Sequence, residues 1–205
     1  MKTLFIEARK KNLKLGEEAK KFISSANNFS ILYSIQYKSL AEQFKKEAER
    51  QKKKVLCLQQ VLGCSNPKLE KSTIVLIGSG RFHAVNLASR LKQPIYIISQ
   101  DKIDRITEEE IKKLEARKKA ALIKLYSSKE LVIIISTKPG QNKQKQAFIL
   151  KNKLEKQGKK VYLFLADNIN LAELENFSLP IYINTACPGL FLDSSKIINL
   201  EDITL

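Results

Sequence analysis

The chain is poor in the side chains that most often bind metals. It has one histidine, His83, and three cysteines, Cys57, Cys64 and Cys187. An odd, sparse cysteine count argues against a disulfide framework. No Cys–Cys or Cys–His pair has zinc-finger spacing, so any metal site must gather residues from distant parts of the chain. Long apolar runs are missing too, since none approaches the ~18–20 residues of a membrane helix. The opening MKTLFIEARKKN holds an apolar stretch too short for a signal peptide, and no small-residue cleavage site follows it. The expectation is a soluble, cytoplasmic protein without a membrane partner. Arginine is scarce, 6 residues against 31 lysines. Recognition of bases and phosphates leans on arginine forks. The formal net charge of +16 therefore suits solvated, lysine-covered helices better than a nucleic-acid partner.

A chain of 205 residues with 43% hydrophobic side chains is long enough to bury a sizeable core in one or two domains. Its apolar segments recur along the whole length, which excludes a disordered chain. Short β-branched runs predict strands at Thr3–Ala8, Ser30–Ile35, Val55–Gln59, Thr73–Ile77, Pro94–Ser99, Leu131–Ser136, Lys160–Ala166 and Leu179–Asn184. Segments of helical period fall between them, near Glu17–Ser24, Ser39–Lys52, Phe82–Leu91, Glu108–Tyr126, Gln141–Gln157 and Leu171–Asn176. The runs VLCLQ, IVLIG, VIIIS and VYLFLA are apolar on both parities, as strands covered on both faces should be. This alternation predicts an α/β fold of parallel sheets flanked by helices.

An internal echo points to two similar domains. ILYSIQYKSLAEQF…QKKKVLCL in the first half resembles VIIISTKPGQNKQ…KQGKKVYLF in the second. In each, an apolar strand ends in a polar turn, a long helix follows, and a lysine run leads into the next strand. QDKIDRI interrupts the apolar pattern near residues 100–106. The expected domains are therefore 1–103 and 104–205.

In parallel sheets ligands bind beyond the carboxyl ends of strands, and four unusual turns are expected there. IGSGRFH places Gly78, Gly80, Phe82 and His83 between a strand and a helix. Its glycines permit close backbone approach to a ligand, but it lacks the third glycine of a dinucleotide fingerprint. His83 could bind a ligand or simply pack. STKPGQ offers Thr137, Lys138, Pro139, Gly140 and Gln141, a hydroxyl and a cation on a tight turn that could meet a carboxylate or phosphate. It is not a Walker loop. VLGCSNP and NTACPGL carry Cys64 and Cys187 beside glycine or proline, where a thiolate is accessible. Cys57, inside VLCLQ, reads as a packed small hydrophobe. Only a site between domains could use both loop cysteines.

Taken together, LGCSNP, GSGRFH, TKPGQ and NTACPG stand in the order and approximate spacing found in the diphthamide synthase family, which the chain resembles over nearly its whole length. SIQY at Ser34–Tyr37, with Gln36, the helix bearing Glu115 and Arg117, and the closing INLEDI extend the likeness. The resemblance implies enzymes that make 2-(3-amino-3-carboxypropyl)histidine on translation elongation factor 2. It implies three similar α/β domains, each giving one cysteine to a 4Fe–4S cluster that engages S-adenosylmethionine. An electron from that cluster cleaves the bond from sulfur to the aminocarboxypropyl carbon, and the three-carbon unit attaches to the target imidazole. By motif match, Cys64 and Cys187 are the second and third cluster ligands. Gln36 and the glycine and TKPGQ turns would line the S-adenosylmethionine site.

The departures from the family are informative. Its first domain, with its own cysteine loop, has no counterpart before Met1. Ser79 stands where an acidic residue is usual, FHPLG has become FHAVN at Phe82–Asn86, and the arginine usual after ACP is Gly189. Two thiolates alone should hold a cluster poorly. A first-domain chain, a related subunit or a second copy could supply the third, and the electron donor is left open. A non-catalytic supporting subunit is the second reading. A basic nucleotide- or RNA-binding protein, resting on charge and glycine turns alone, is the third.

Overall fold

The computed structural model describes residue 4, residues 6–100 and residues 102–203. The chain divides into two compact units, Met1–Leu114 and Glu115–Leu205. In the first, α1 (Glu17–Ser24), β1 (Asn28–Tyr33), α2 (Lys38–Arg50), β2 (Lys54–Gln60), β3 (Thr73–Ile77), α3 (Arg81–Leu91), β4 (Ile95–Ile98) and β5 (Ile103–Arg105) follow one another. Helix α4 (Glu108–Ser127) crosses the division. The second continues with β6 (Glu130–Ser136), α5 (Gln144–Lys156), β7 (Lys160–Ala166), α6 (Leu171–Glu175), β8 (Tyr182–Asn184), α7 (Leu190–Asp193) and β9 (Ile197–Asn199).

The strand orders are β2-β1-β3-β4-β5 and β7-β6-β8-β9. Apart from the antiparallel β4–β5 pair, every pairing is parallel. The two sheets thus share one strand order, β1 matching β6, β2 matching β7, β3 matching β8 and β4 matching β9. The internal echo in the sequence is the β1–α2–β2 and β6–α5–β7 crossover. Right-handed crossovers leave the intervening helices on the sheet faces, and the fold is α/β.

Parity sorts the first core. Phe29, Ile31 and Tyr33 of β1 and Val75 and Ile77 of β3 pack with Ala19, Ile23, Leu40, Ala41, Phe44 and Ala48 of α1 and α2. Leu32, Ile74 and Leu76, one residue out of step, pack with Ala84, Leu87 and Ala88 of α3. The spacing 40-41-44-48 places one apolar stripe along α2. In the second unit the whole of β6 from Leu131 is buried, and α5 turns Ala147, Leu150 and Leu154 inward. Helix α4 opens on a capping box. Thr107 Oγ1 accepts from Glu110 N–H at 3.2 Å, and Glu110 Oε2 accepts from Thr107 N–H at 2.9 Å.

Several expectations are corrected. Of the Thr3–Ala8 strand, Thr3 and Phe5 lie outside the described residues. Leu4 and Ile6 are more than four-fifths exposed and belong to no strand, because no neighbouring strand offers them a ladder. VLCLQ and VYLFLA become edge strands β2 and β7, half-covered instead of enclosed. The stretch at 100–106 holds β5, whose Arg105, Asp104 and Ile103 pair with Tyr96, Ile97 and Ile98, while Ile106 is fully buried in the first core. A three-residue strand with no longer apolar run around it, unlike β8 within Leu179–Asn184, gives periodicity nothing to reveal. The same applies to β9, which no apolar run announces.

Phe44 has no exposed surface and meets Phe29 edge to face at 5.5 Å. A Phe44→Ala chain should lose about 3–5 kcal/mol of unfolding free energy, measured by urea denaturation.

Candidate functional site

Parallel pairing sends β1, β2 and β3 out on one side of the first sheet, and three of the motif loops begin there. The ladder runs one bond past the strand ends. Val61 N–H donates to Tyr33 C=O at 2.9 Å, Ser34 N–H to Ile77 C=O at 3.3 Å, and Gly78 N–H to Ile98 C=O at 3.1 Å.

After β2 the chain closes a turn in which Ser65 N–H donates to Leu62 C=O at 2.9 Å and Leu62 N–H to Ser65 Oγ at 2.8 Å. Arg90 of α3 donates from Nη1 to the Cys64 carbonyl at 2.9 Å. The Cys64 backbone is held while its thiol is free and the residue exposed. Gly63 lies against the start of α3: a Cβ there would come within 2.6 Å of His83 Nδ1 and 2.7 Å of Phe82 Cε1. Cys64's loop, Phe82 and His83 are therefore in direct contact. The Phe82 and His83 rings lie 4.9 Å apart. His83 Nδ1 is buried without a hydrogen-bond partner, and burial pushes the imidazole below its ordinary pKa.

Gly80 precedes α3 with φ +95°, a backbone only glycine adopts without strain. Gly78 approaches Ser34, which a Cβ would meet at 3.3 Å from Oγ. Tyr37, buried in the SIQY turn, accepts a hydrogen bond from Lys10 Nζ at 2.8 Å. Burial pushes the Tyr37 phenol up, but hydrogen bonds with Lys10 and Ser79 and the Lys10 charge outweigh it and hold the group below its usual value. Gln36 is exposed, and its carbonyl accepts from Lys10 N–H at 3.0 Å.

In the second sheet, TKPGQ leaves β6 and the Cys187 loop leaves neighbouring β8. Thr137 N–H donates to Ala166 C=O at 3.1 Å, Lys138 N–H to Ser136 Oγ at 3.2 Å, and Gln141 N–H to Lys138 C=O at 3.0 Å. The turn leaves Lys138, Pro139 and Gly140 exposed, with Gly140 at φ +79°. Thr137 Oγ1 is buried with no hydrogen-bond partner. Thr185 ties the start of the Cys187 loop to β6, donating from N–H and Oγ1 to Ile134 C=O at 3.1 and 2.7 Å.

The Cys187 loop is held by side chains the sequence reading passed over. Asn184 Nδ2 donates to Cys187 C=O and to Asn199 Oδ1, both at 2.7 Å, and Asn184 Oδ1 accepts from Ala186 N–H at 2.9 Å. Asn199 Nδ2 donates to Pro188 C=O at 3.2 Å. Helix α4 braces the same region, with Arg117 over the Phe191 ring at 5.0 Å and Lys118 paired with Asp202 at 2.9 Å. Asparagine in a turn motif reads as a turn former, and Arg90 as a helix-surface charge, so no local signal marked them. The Asn199–Asp202 match within INLEDI was the one trace available.

Both thiols are free, exposed and set on anchored backbone at the carboxyl edges of parallel strands. Two thiolates suit iron–sulfur ligation in donor type. Among the described residues no three His, Cys, Asp or Glu side chains form a group able to hold a metal ion. The fit is to part of a ligand set.

The family model described as a diphthamide synthesis protein matches residues 1–197. A curated 2-(3-amino-3-carboxypropyl)histidine synthase from Methanocaldococcus jannaschii is 29% identical over 206 residues, covering 94% of this chain and 57% of that protein. One from Pyrococcus horikoshii is 30% identical over 140 residues, covering 65% and 40%. The chain thus spans only about half the length of the curated relatives it matches. Crystal structures of Dph2 from Pyrococcus horikoshii share the fold. One has TM-score 0.82 at 22% identity, covering 94% of this chain and 62% of that one. Another, with a 4Fe-4S cluster, has TM-score 0.78 at 24% identity, covering 90% and 60%.

Two outcomes follow from the Gly63–His83 contact. Gly63→Ala should cost about 1–3 kcal/mol, because two rings must move, read by chemical denaturation. The folded imidazole resists the proton that the unfolded one accepts. Its stabilisation is therefore complete above the ordinary imidazole value of about 6.5 and lost as pH falls below it. His83→Phe should flatten that slope in urea unfolding measured across pH.

Proposed function

Because the chain belongs to the diphthamide synthesis protein family, we propose that it takes part in diphthamide biosynthesis on elongation factor 2, transferring the 3-amino-3-carboxypropyl group of S-adenosylmethionine to a histidine. The observation that carries this reading is the pair of free, exposed thiols, each on a loop whose carbonyl is held by a side chain behind it. Cys64 and Cys187 would serve as thiolate ligands of a 4Fe–4S cluster. When bound, that cluster supplies the electron that splits the sulfur–carbon bond of S-adenosylmethionine.

The remaining residues bind and orient. Gly78 and Gly80 let the backbone approach the substrate beside Gln36, Phe82 and His83. With its pKa lowered, His83 is held neutral and packs instead of drawing in a proton. On the second sheet Thr137, Lys138, Pro139, Gly140 and Gln141 form the exposed turn, and the Lys138 ammonium would meet the substrate carboxylate. The protein acts in the cytoplasm and joins a first-domain chain, a related subunit or a second copy that contributes the further thiolate. The first of these roles falls to the domain that β5 and Ile106 complete and the second to the domain after it, a few residues beyond the boundary expected at 103–104.

The altered FHAVN stretch at Phe82–Asn86 and Gly189 after ACP favour one second reading, a non-catalytic subunit that supports a catalytic relative. The two separate in one experiment. Label from carboxyl-labelled S-adenosylmethionine should transfer to elongation factor 2 in the reconstituted complex, and Cys64→Ser or Cys187→Ser should each reduce transfer at least a hundredfold. Full transfer with both cysteines replaced would leave the supporting role.

A further inference from the structure

Because the two sheets share a strand order, they can be compared position by position. The last register pair of β3 and β4 is Ile77 with Ile98, and the last pair of β8 and β9 is Asn184 with Asn199. These pairs occupy the same place in the repeated fold. Both isoleucines are fully buried, and Asn184 and Asn199 are 2% and 4% exposed. The fold therefore accepts an apolar pair here, and folding alone does not call for a buried amide pair.

A buried amide is unfavourable unless its hydrogen bonds are made. At Asn184 they are made, and they point forward into the following loop. One amide reaches the Cys187 carbonyl and the Ala186 N–H, and its partner reaches the Pro188 carbonyl. In the first unit the loop in the same place, after β3, carries Gly78–Gly80 and no cysteine. The apolar pair stands behind the loop without a thiol, and the amide pair behind the loop that bears one.

We propose that Asn184 and Asn199 are positioning residues that fix the Cys187 loop for metal ligation, joining the NTACPG and INLEDI segments into one device. The metal part of this inference rests on the iron–sulfur reading given above. The bracing of α4 against Phe191 and Asp202 holds the two segments from outside. Three loop backbone groups, Ala186 N–H and the Cys187 and Pro188 carbonyls, are thereby fixed, and the thiol is presented without a rearrangement on binding.

The test gives the second unit the apolar character of the first, with Asn184→Val and Asn199→Val together in the full chain. The variant removes both partners of the Asn184–Asn199 bond, which is close to neutral, but leaves Ala186 N–H and the Cys187 and Pro188 carbonyls without theirs, which loosens the loop. The melting temperature should fall by several degrees while the chain still unfolds in one cooperative transition. Hydrogen exchange of the unloaded chain over residues 184–191 should speed up about fivefold or more, with β6 and β7 unchanged. After anaerobic reconstitution, iron per chain should fall to the level of Cys187→Ser. Unchanged exchange over 184–191, or full iron retention, would overturn the proposal. If the double variant fails to fold, Asn199→Ala alone, which leaves Asn184 on Cys187, is read by the same exchange measurement. If the parent chain takes up no iron in any complex, the iron reading fails, and the exchange result still decides whether the pair fixes the loop.

Discussion

In a parallel ladder each strand runs out on the same side as its neighbours. Tyr33, Gln60 and Ile77 therefore lead into loops that begin along one row of hydrogen bonds; in the second sheet Ser136 and Ala166 share a row, and Asn184 ends its strand two residues back, beside Ile134. Residues dozens of positions apart in the chain are thus brought side by side without any of them having to attract the others. Right-handed crossovers keep the helices on the faces and leave the carboxyl edges open. What remains for individual side chains is to steady the loops. Arg90 does so for Cys64, and Thr185 and the asparagine pair do so for the Cys187 loop.

The steadying devices differ between the units because the loops differ in position. Cys64 follows β2, an edge strand, and Cys187 follows β8, an interior one. An edge loop has solvent on one side and is held by a long arginine reaching from α3 and by the ring of His83 against Gly63. An interior loop sits over a buried strand end, where polar groups must satisfy one another. The amide pair meets that demand, each of its nitrogens donating to a loop carbonyl.

Much of the fold was legible in the sequence. β3 and β7 and helix α1 fall on the residues their apolar periodicity indicated, and the repeat of ILYSIQY and VIIISTK marks the two matching crossovers. Two weaknesses have physical causes. Apolar runs on both parities suggested full enclosure for β2 and β7, yet an edge strand can carry the same residues with one side half-covered. The three-residue strands β5 and β9 lack the longer apolar run that marked the equally short β8. The candidate site was legible as motifs but not as contacts. GSGRFH and LGCSNP gave no hint that Gly63 seats on His83, because a glycine required by a ring two strands away looks like any turn glycine. Asn184 and Asn199 were invisible as a pair, being fifteen residues apart and joined only through β8–β9 pairing.

The central claim is that the two loop thiolates belong to one iron–sulfur ligand set. Native mass spectrometry of the anaerobically reconstituted chain, alone and with a candidate partner carrying a further thiolate, tests it most directly. The account predicts a mass increment of four irons and four sulfides in the complex, lost when either Cys64 or Cys187 is serine and kept when Cys57 is. A cluster retained after both replacements, or none formed by the parent chain in complex, would contradict it.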